Sequence, residues 1–183
     1  MTRLPKLTRD MVPEQLRGAF DEVVTAAPPN GPSSVAIHSP EFARRRLQVS
    51  DYLRFETSIT DPILELTLLV TARCMDCQYV WNAHAAAARK AGVSDAVVDA
   101  IRDNRPLPPM PADQSAIVNY GLELFRTHKV SQETYQAALD QFGSLHLVEL
   151  TAIMGHYVQN AFFLNAFAVD LPDQRAEPLL PVA

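Results

Sequence analysis

The sequence predicts an all-α protein of about eight helices, and three observations carry that reading. Apolar residues recur at helical spacing along the whole length, helix-start signals precede most of the apolar runs, and alternating strand-like stretches are scarce. At roughly one domain per 150 residues, a chain of 183 residues reads as a single domain spanning 1–183, long enough to bury a core without disulfides.

The elements follow in order. Pro13 opens a helix to Ala27 with Leu16, Phe20, Val23 and Val24 on one face, and Pro28-Pro29-Asn30-Gly31-Pro32 then forces a loop. Ser39-Pro40 pairs an N-cap with proline at the first helical position, starting a helix that runs to a break near Ser58. Thr60, Asp61 and Pro62 begin a third helix, where Ile63 to Val70 is apolar on nearly every side apart from Glu65, so it belongs in the middle of the core. Asp76 is the expected cap of a fourth, from Cys77 to about Ala91, closed by Gly92. Ser94 caps a fifth, and the proline-rich stretch Asn104 to Pro111 divides the chain into two similar halves. Asp113 to Thr127 is the sixth helix, Ser131 caps a seventh, and Ser144 caps a long eighth. Each half ends in an apolar helix with one buried-looking acid, Glu65 or Glu149, the pattern of a diverged helical duplication. Residues 1–12 and 171–183 are expected to be extended terminal segments, the latter on the surface or on a neighbouring subunit.

Composition narrows the function classes. Lys and Arg number 16 against 21 Asp and Glu, and a net charge of −5 with no dense basic cluster leaves no electrostatic footprint for nucleic acid. The N-terminal stretch lacks the apolar run of a signal peptide, and Cys74 and Cys77 are too few and too close for a secreted disulfide framework. Leu147 to Val169 is long enough to span a bilayer but carries Glu149, His156, Gln159, Asn160 and Asn165, so it reads as a core helix. The expectation is a cytoplasmic protein with no membrane partner.

The segment Glu65 to His84 carries the chemistry. With Asp76 as cap, Cys77 starts its helix, where free backbone N–H groups and the positive dipole end favour thiolate. Cys77, Trp81, His84 and Ala88 share one face, yet seven residues of rise separate Cys77 from His84 by about 10 Å, so Glu65 is the candidate intermediary between them. A carboxylate in so apolar a helix needs a partner, and an imidazole supplies either a proton relay or a structural hydrogen bond. The two cysteines serve equally as small buried apolar residues. Zinc on Cys74, Cys77 and His84 lacks a fourth ligand, the CxxC lacks a βαβ context, and no nucleotide, serine-hydrolase or zinc-protease motif is present. No metal and no cofactor are expected.

Taken together, His38-Ser39-Pro40-Glu41, Tyr52-Leu53-Arg54, Glu65 with its apolar helix, Tyr79, Trp81, His84, Ala91-Gly92-Val93-Ser94 and Asn165-Ala166-Phe167 resemble the longer members of the carboxymuconolactone decarboxylase family, which includes the alkylhydroperoxidase D proteins. The resemblance implies an all-helical fold assembled into dimers, trimers or hexamers, a small-molecule substrate, and a site beside the Cys/His helix near a subunit interface. In the peroxidase branch a CxxC begins twelve residues after the Glu and a His follows four residues after its second Cys. Glu65, Cys77 and His84 fall on those positions, while Val80 stands at the peroxide-reactive one and the visible CxxC is shifted by three. One implied chemistry has Cys77 attack a hydroperoxide and Cys74 resolve it, with Glu65 and His84 managing protons and a thiol reductant protein as partner. The other resembles the decarboxylase branch: His84 with Glu65 moves protons on a small acidic lactone, Tyr79 and Trp81 shape the pocket, Arg73 holds a carboxylate, and His156 faces the pocket. A helical oligomer with a vestigial site is the third reading. Two cysteines near a helix start put the peroxidase first at this level.

Overall fold

The computed structural model describes residues 2–182. Among them are eight α-helices and no strand: α1 (Arg17–Ala26), α2 (Pro32–Ala36), α3 (Pro40–Asp51), α4 (Asp61–Cys74), α5 (Gln78–Lys90), α6 (Asp95–Arg102), α7 (Ala112–Thr127) and α8 (Gln132–Ala166). Short 3₁₀ turns precede α1, and α3 runs on into a π-helical turn, Tyr52–Glu56. The apolar run of α4 places it at the centre, packed against α5, α7 and α8. Leu66, Leu69, Val70 and Ala72 have no exposed surface. Thr67 and Thr71 are equally buried, and their hydroxyls donate to the carbonyls of Ile63 and Thr67 at 2.7 and 2.8 Å, so the helix satisfies its own polar atoms. A smaller cluster of Val12, Phe20, Val23, Ala36, Ile37 and Ala43 joins α1, α2 and α3.

Local signals hold at several boundaries. The Ser94 hydroxyl accepts from the Val97 N–H and Ser131 from Thr134, both as N-caps, and Gly92 follows the C-cap of α5 with φ +97°. Two features depart from the sequence reading, and a third matches it. Part of the segment read as a loop starts a helix, α2, because Pro32 sits at its first turn, Val35 is buried, and Ala36 and Ile37 join the smaller cluster. Asp76 is not the cap of α5. It adopts φ +47° with its carboxylate held by Arg73, so Cys77 takes the cap position and Gln78 begins the helix. The seventh and eighth helices of the sequence reading are both present, as the two segments of α8 that meet at a kink at Gly143, one residue before Ser144; its φ +66° and ψ 173° are open to glycine alone. A Cβ there would meet no atom within 4 Å, so Gly143→Ala is expected to destabilise by about 1–3 kcal/mol through backbone strain only. Denaturant unfolding checks this, and an unchanged midpoint argues against the kink.

Both terminal segments are tied down within the described residues. Arg3 N–H donates to the carbonyl of Phe167 at 2.9 Å. At the other end, Gln78 exchanges two hydrogen bonds with the backbone of Leu180, Trp81 Nε1 donates to Pro178 O at 3.0 Å, and Arg89 pairs with Glu177 at 3.0 Å. The tail thus lies along α5, the helix that carries His84. Among the described residues no helix is long and apolar enough to cross a membrane.

Candidate functional site

Glu65 lies one turn inside α4 and His84 at the middle of α5, and the packing of these two helices brings them together. His84 Nδ1 stands 2.9 Å from Glu65 Oε2, with the two side chains only 12% and 15% exposed. A carboxylate accepts at that contact, so the neutral ring carries its proton on Nδ1 and presents Nε2 as the free base nitrogen. Tyr157 from α8 packs edge-on against the imidazole, centroids 5.4 Å apart. An orienting carboxylate behind and an aromatic beside the ring are what a positioned general base requires.

His84 and Tyr157 line a cavity of about 330 Å³, walled by Tyr79, Val80 and Ala83 of α5, Pro32 and Ser33 of α2, Arg46 and Arg54, and Asn160 of α8. That volume suits a small organic molecule. Gly31 lets the covering loop approach: it has φ +47°, and a Cβ there would sit 2.8 Å from the Tyr79 ring. Burial raises the Tyr79 hydroxyl above its ordinary pKa, keeping it a neutral donor.

The charged side chains that line this cavity, Arg46 and Arg54, are both cationic, and Glu65 stands behind His84 rather than on the wall. Arg46 is only 8% exposed, donates through one terminal nitrogen to Asn160 Oδ1, and buries its Nε with no partner. Burial lowers its proton affinity, which the Tyr157 hydroxyl only partly offsets. Arg54 stacks over the Phe55 ring at 5.1 Å. Among the described residues neither guanidinium has a carboxylate partner. A buried guanidinium without a counter-ion is costly, and a ligand anion is what relieves that cost.

Of the residues singled out from sequence, the fold gathers Glu65, His84 and Tyr79. The others lie elsewhere. Cys77 has no exposed surface, and burial raises its pKa against the weaker pull of the Val80 and Tyr79 N–H groups. Cys74 is pushed up to about 11 by burial, with Arg73 and Arg126 opposing. The expected low-pKa thiolate at Cys77 is therefore corrected: the dipole of the helix start is present, but desolvation outweighs it. Both thiols are free and neither lines the cavity, whereas Val80 does. Arg73 is held by Asp76 and lies off the cavity. Trp81 is fully buried and turned to the C-terminal tail. His156 lines a separate groove between α3 and α8, where burial and the neighbouring Arg46 and Arg54 lower its pKa to about 4. Sequence reading passed over Arg46, Arg54, Tyr157 and Asn160. The run Arg44-Arg45-Arg46 is too short to mark a nucleic-acid surface; its first two members pair with Glu41, and the seating of α3 beside α8 buries the third.

The carboxymuconolactone decarboxylase family profile matches residues 40–117, from the start of α3 into α7, a span that includes Arg46, Glu65, Tyr79 and His84. No curated protein matches the sequence. Among solved structures, the alkylhydroperoxidase AhpD core of an uncharacterized peroxidase-related protein from Ralstonia eutropha JMP134 superposes with a TM-score of 0.72 at 20% identity, covering 94% of this chain and 93% of that one. A peroxidase-related protein from Silicibacter sp. TM1040 does so with 0.72 at 16% identity, covering 94% and 92%. The debrominase Bmp8, solved as a variant with 2,3,4-tribromopyrrole, gives 0.69 at 14% identity, covering 94% and 93%. Over residues 40–117, less than half of its length, the chain thus matches the carboxymuconolactone decarboxylase family profile, and its fold is AhpD-like over nearly the whole length.

Proposed function

We propose that this protein is an acid–base enzyme that moves a proton at carbon on a small organic anion, as the decarboxylation of a small acidic lactone requires. The observation that carries the reading is a Glu65–His84 pair opening on a cavity that holds two unpaired guanidinium groups and no thiol. In such a decarboxylation Arg46 and Arg54 hold a carboxylate. The C–C bond to the departing carboxyl group breaks as CO₂ leaves, and its electron pair passes into the adjacent carbonyl as an enolate. His84 then delivers a proton to carbon, with Glu65 stabilising the imidazolium that serves as the acid. Run in the other direction, Nε2 takes a proton from a carbon beside a carbonyl. The cavity's size accords with a small ring, and a small planar heterocycle is what the debrominase of the same fold was solved with.

Thiol peroxidase chemistry draws less support, although two neighbours of the fold are described as peroxidase-related. A thiol with a pKa of about 11 is thiolate to the order of one part in 10⁴ at pH 7, and Cys77 is sealed in the core. Both thiols of the native protein are expected to react with hydrogen peroxide no faster than an ordinary free cysteine. Rapid stoichiometric thiol loss, abolished in Cys77→Ser, reverses the ranking.

The direct test incubates the protein in D₂O with a panel of small lactone carboxylates and follows deuterium incorporation and CO₂ release by NMR. Turnover of at least one member by the wild type, lost in His84→Gln, supports the reading. No exchange or release across the panel, together with thiol-dependent peroxide consumption, overturns it.

A further inference from the structure

Arg46 and Arg54 line one cavity although they stand two turns apart along the chain. In an unbroken α-helix, at about 100° per residue, that separation leaves the two side chains about 80° apart around the axis. The π-helical turn Tyr52–Glu56 removes much of the offset, because a turn closed by i→i+5 bonds is wider and each of its residues advances by a smaller angle. Arg54 sits at the middle of this turn, and the widening carries it back toward the face of Arg46.

Such a turn is rare and persists only where contacts hold it. Leu53 is buried in the main core, but Arg54 is exposed, and its stack over Phe55 gives little support because that ring is itself 70% exposed. Two side-chain bonds to α8 bracket it instead. Tyr52 OH donates to Glu149 Oε1 at 2.6 Å, and Ser58 Oγ lies 2.9 Å from His146 Nε2. The first is the stronger, with the length of a charge-assisted bond to a carboxylate. Glu149 is nine-tenths buried, its other oxygen has no partner, and no step of the proposed reaction uses it. Among the described residues the Tyr52 hydroxyl is its one hydrogen-bond partner. A carboxylate buried on those terms is costly to the fold, and what it visibly does is hold the π-helical turn.

We propose that Tyr52 and Glu149 are positioning residues for the anion site, their bond holding the π-helical turn in the form that keeps Arg54 on the wall of the His84 cavity. The inference rests on the reading of Arg54 as an anion holder. Without the bond the turn is free to close to ordinary α-helical spacing, which rotates Arg54 away from Arg46 and leaves the cavity one guanidinium.

Binding of 2-furoate, a planar five-membered ring bearing one carboxylate, tests this by isothermal titration calorimetry. The readout is affinity and not turnover, so failure of the proton-transfer reaction and failure of the positioning role register in different measurements. Tyr52→Phe combined with Glu149→Leu removes hydroxyl and carboxylate together, so no buried charge is left without a partner. This double variant is expected to weaken 2-furoate binding about tenfold with helicity by circular dichroism unchanged. In an Arg54→Met background the same two substitutions are expected to have no further effect, since groups that act through one side chain are not additive. Glu149→Gln keeps an acceptor for the Tyr52 hydroxyl and is expected to stay within about threefold of the wild type. The neutral furan-2-carboxamide is expected to bind the wild type and the double variant alike. Unchanged 2-furoate affinity in the double variant overturns the proposal. So does a loss of the same size in the Arg54→Met background or for the carboxamide, either of which marks a general loosening of the cavity. A wild type that binds no 2-furoate overturns the anion site and the positioning role with it.

Discussion

Arg46→Met is expected to raise KM by about 10- to 150-fold with kcat nearly unchanged, whereas His84→Gln is expected to lower kcat by about 10²- to 10⁴-fold with KM nearly unchanged. The split follows from what each group does. A guanidinium holding a carboxylate contributes charge-assisted hydrogen bonds of about 1.5–3 kcal/mol that exist before and during the reaction, so its loss falls on binding. Glutamine at position 84 keeps a hydrogen bond toward Glu65 and fills similar space, but it has no basic nitrogen, so its cost falls on the chemical step. Stability supplies a second readout. The protein bears the desolvation of Arg46 with one amide acceptor, Asn160, and no carboxylate. Arg46→Met is therefore expected to leave the unliganded protein as stable as the wild type or more so, while abolishing stabilisation by an anionic ligand. Steady-state kinetics and thermal unfolding with and without ligand check both parts. A Tm several degrees below wild type with unaltered KM would falsify the assignment of Arg46 as the anion holder.

The second large effect is acid sensitivity. His156 is nine-tenths buried beside Arg46 and Arg54 and edge-on to Tyr157, and its pKa falls from 6.5 to about 4. The unfolded chain then binds a proton between pH 6.5 and 4 that the folded chain refuses, so stability falls as pH drops through that window. At about 1.4 kcal/mol per pKa unit, the loss from this group alone is about 3 kcal/mol once pH is below 4. His156→Gln has no proton to take up and is expected to flatten the stability profile between pH 7 and 4 relative to the wild type, since the carboxylates are common to both proteins. Urea unfolding at intervals across that range decides it, and superimposable profiles remove His156 as the cause.

How much was legible in the residues depended on the reach of the physics involved. The cap at Ser94, the cap at Ser131 and the turn at Gly92 are set by atoms within four residues, and each is found where the local pattern places it. The meeting of Glu65 and His84 was visible as an energetic need, because a carboxylate on an apolar helix requires a partner and His84 was within reach on the next helix. Asp76 shows the limit of local reasoning: its type suits a cap, but Arg73 takes its carboxylate and the cap passes to Cys77. The break inside α8 was legible, by contrast: it falls at Gly143, one residue before the expected start at Ser144, in dihedrals that only glycine takes without strain.

By itself, then, the sequence determined an all-helical chain, the centrality of α4 and a resemblance to the carboxymuconolactone decarboxylase family that its profile match over residues 40–117 repeats, because periodicity, capping and motif spacing are properties of neighbouring residues. Only the tertiary structure decided which ionisable groups are stripped of water. Cys77 stands at a helix start whose local pattern favours a thiolate and Arg46 in a run of three arginines, and packing alone turned one into a sealed thiol and the other into a buried, unpaired cation on the wall of the His84 cavity. Desolvation is set by every atom that surrounds a group, most of them distant in sequence, and no local pattern encodes it.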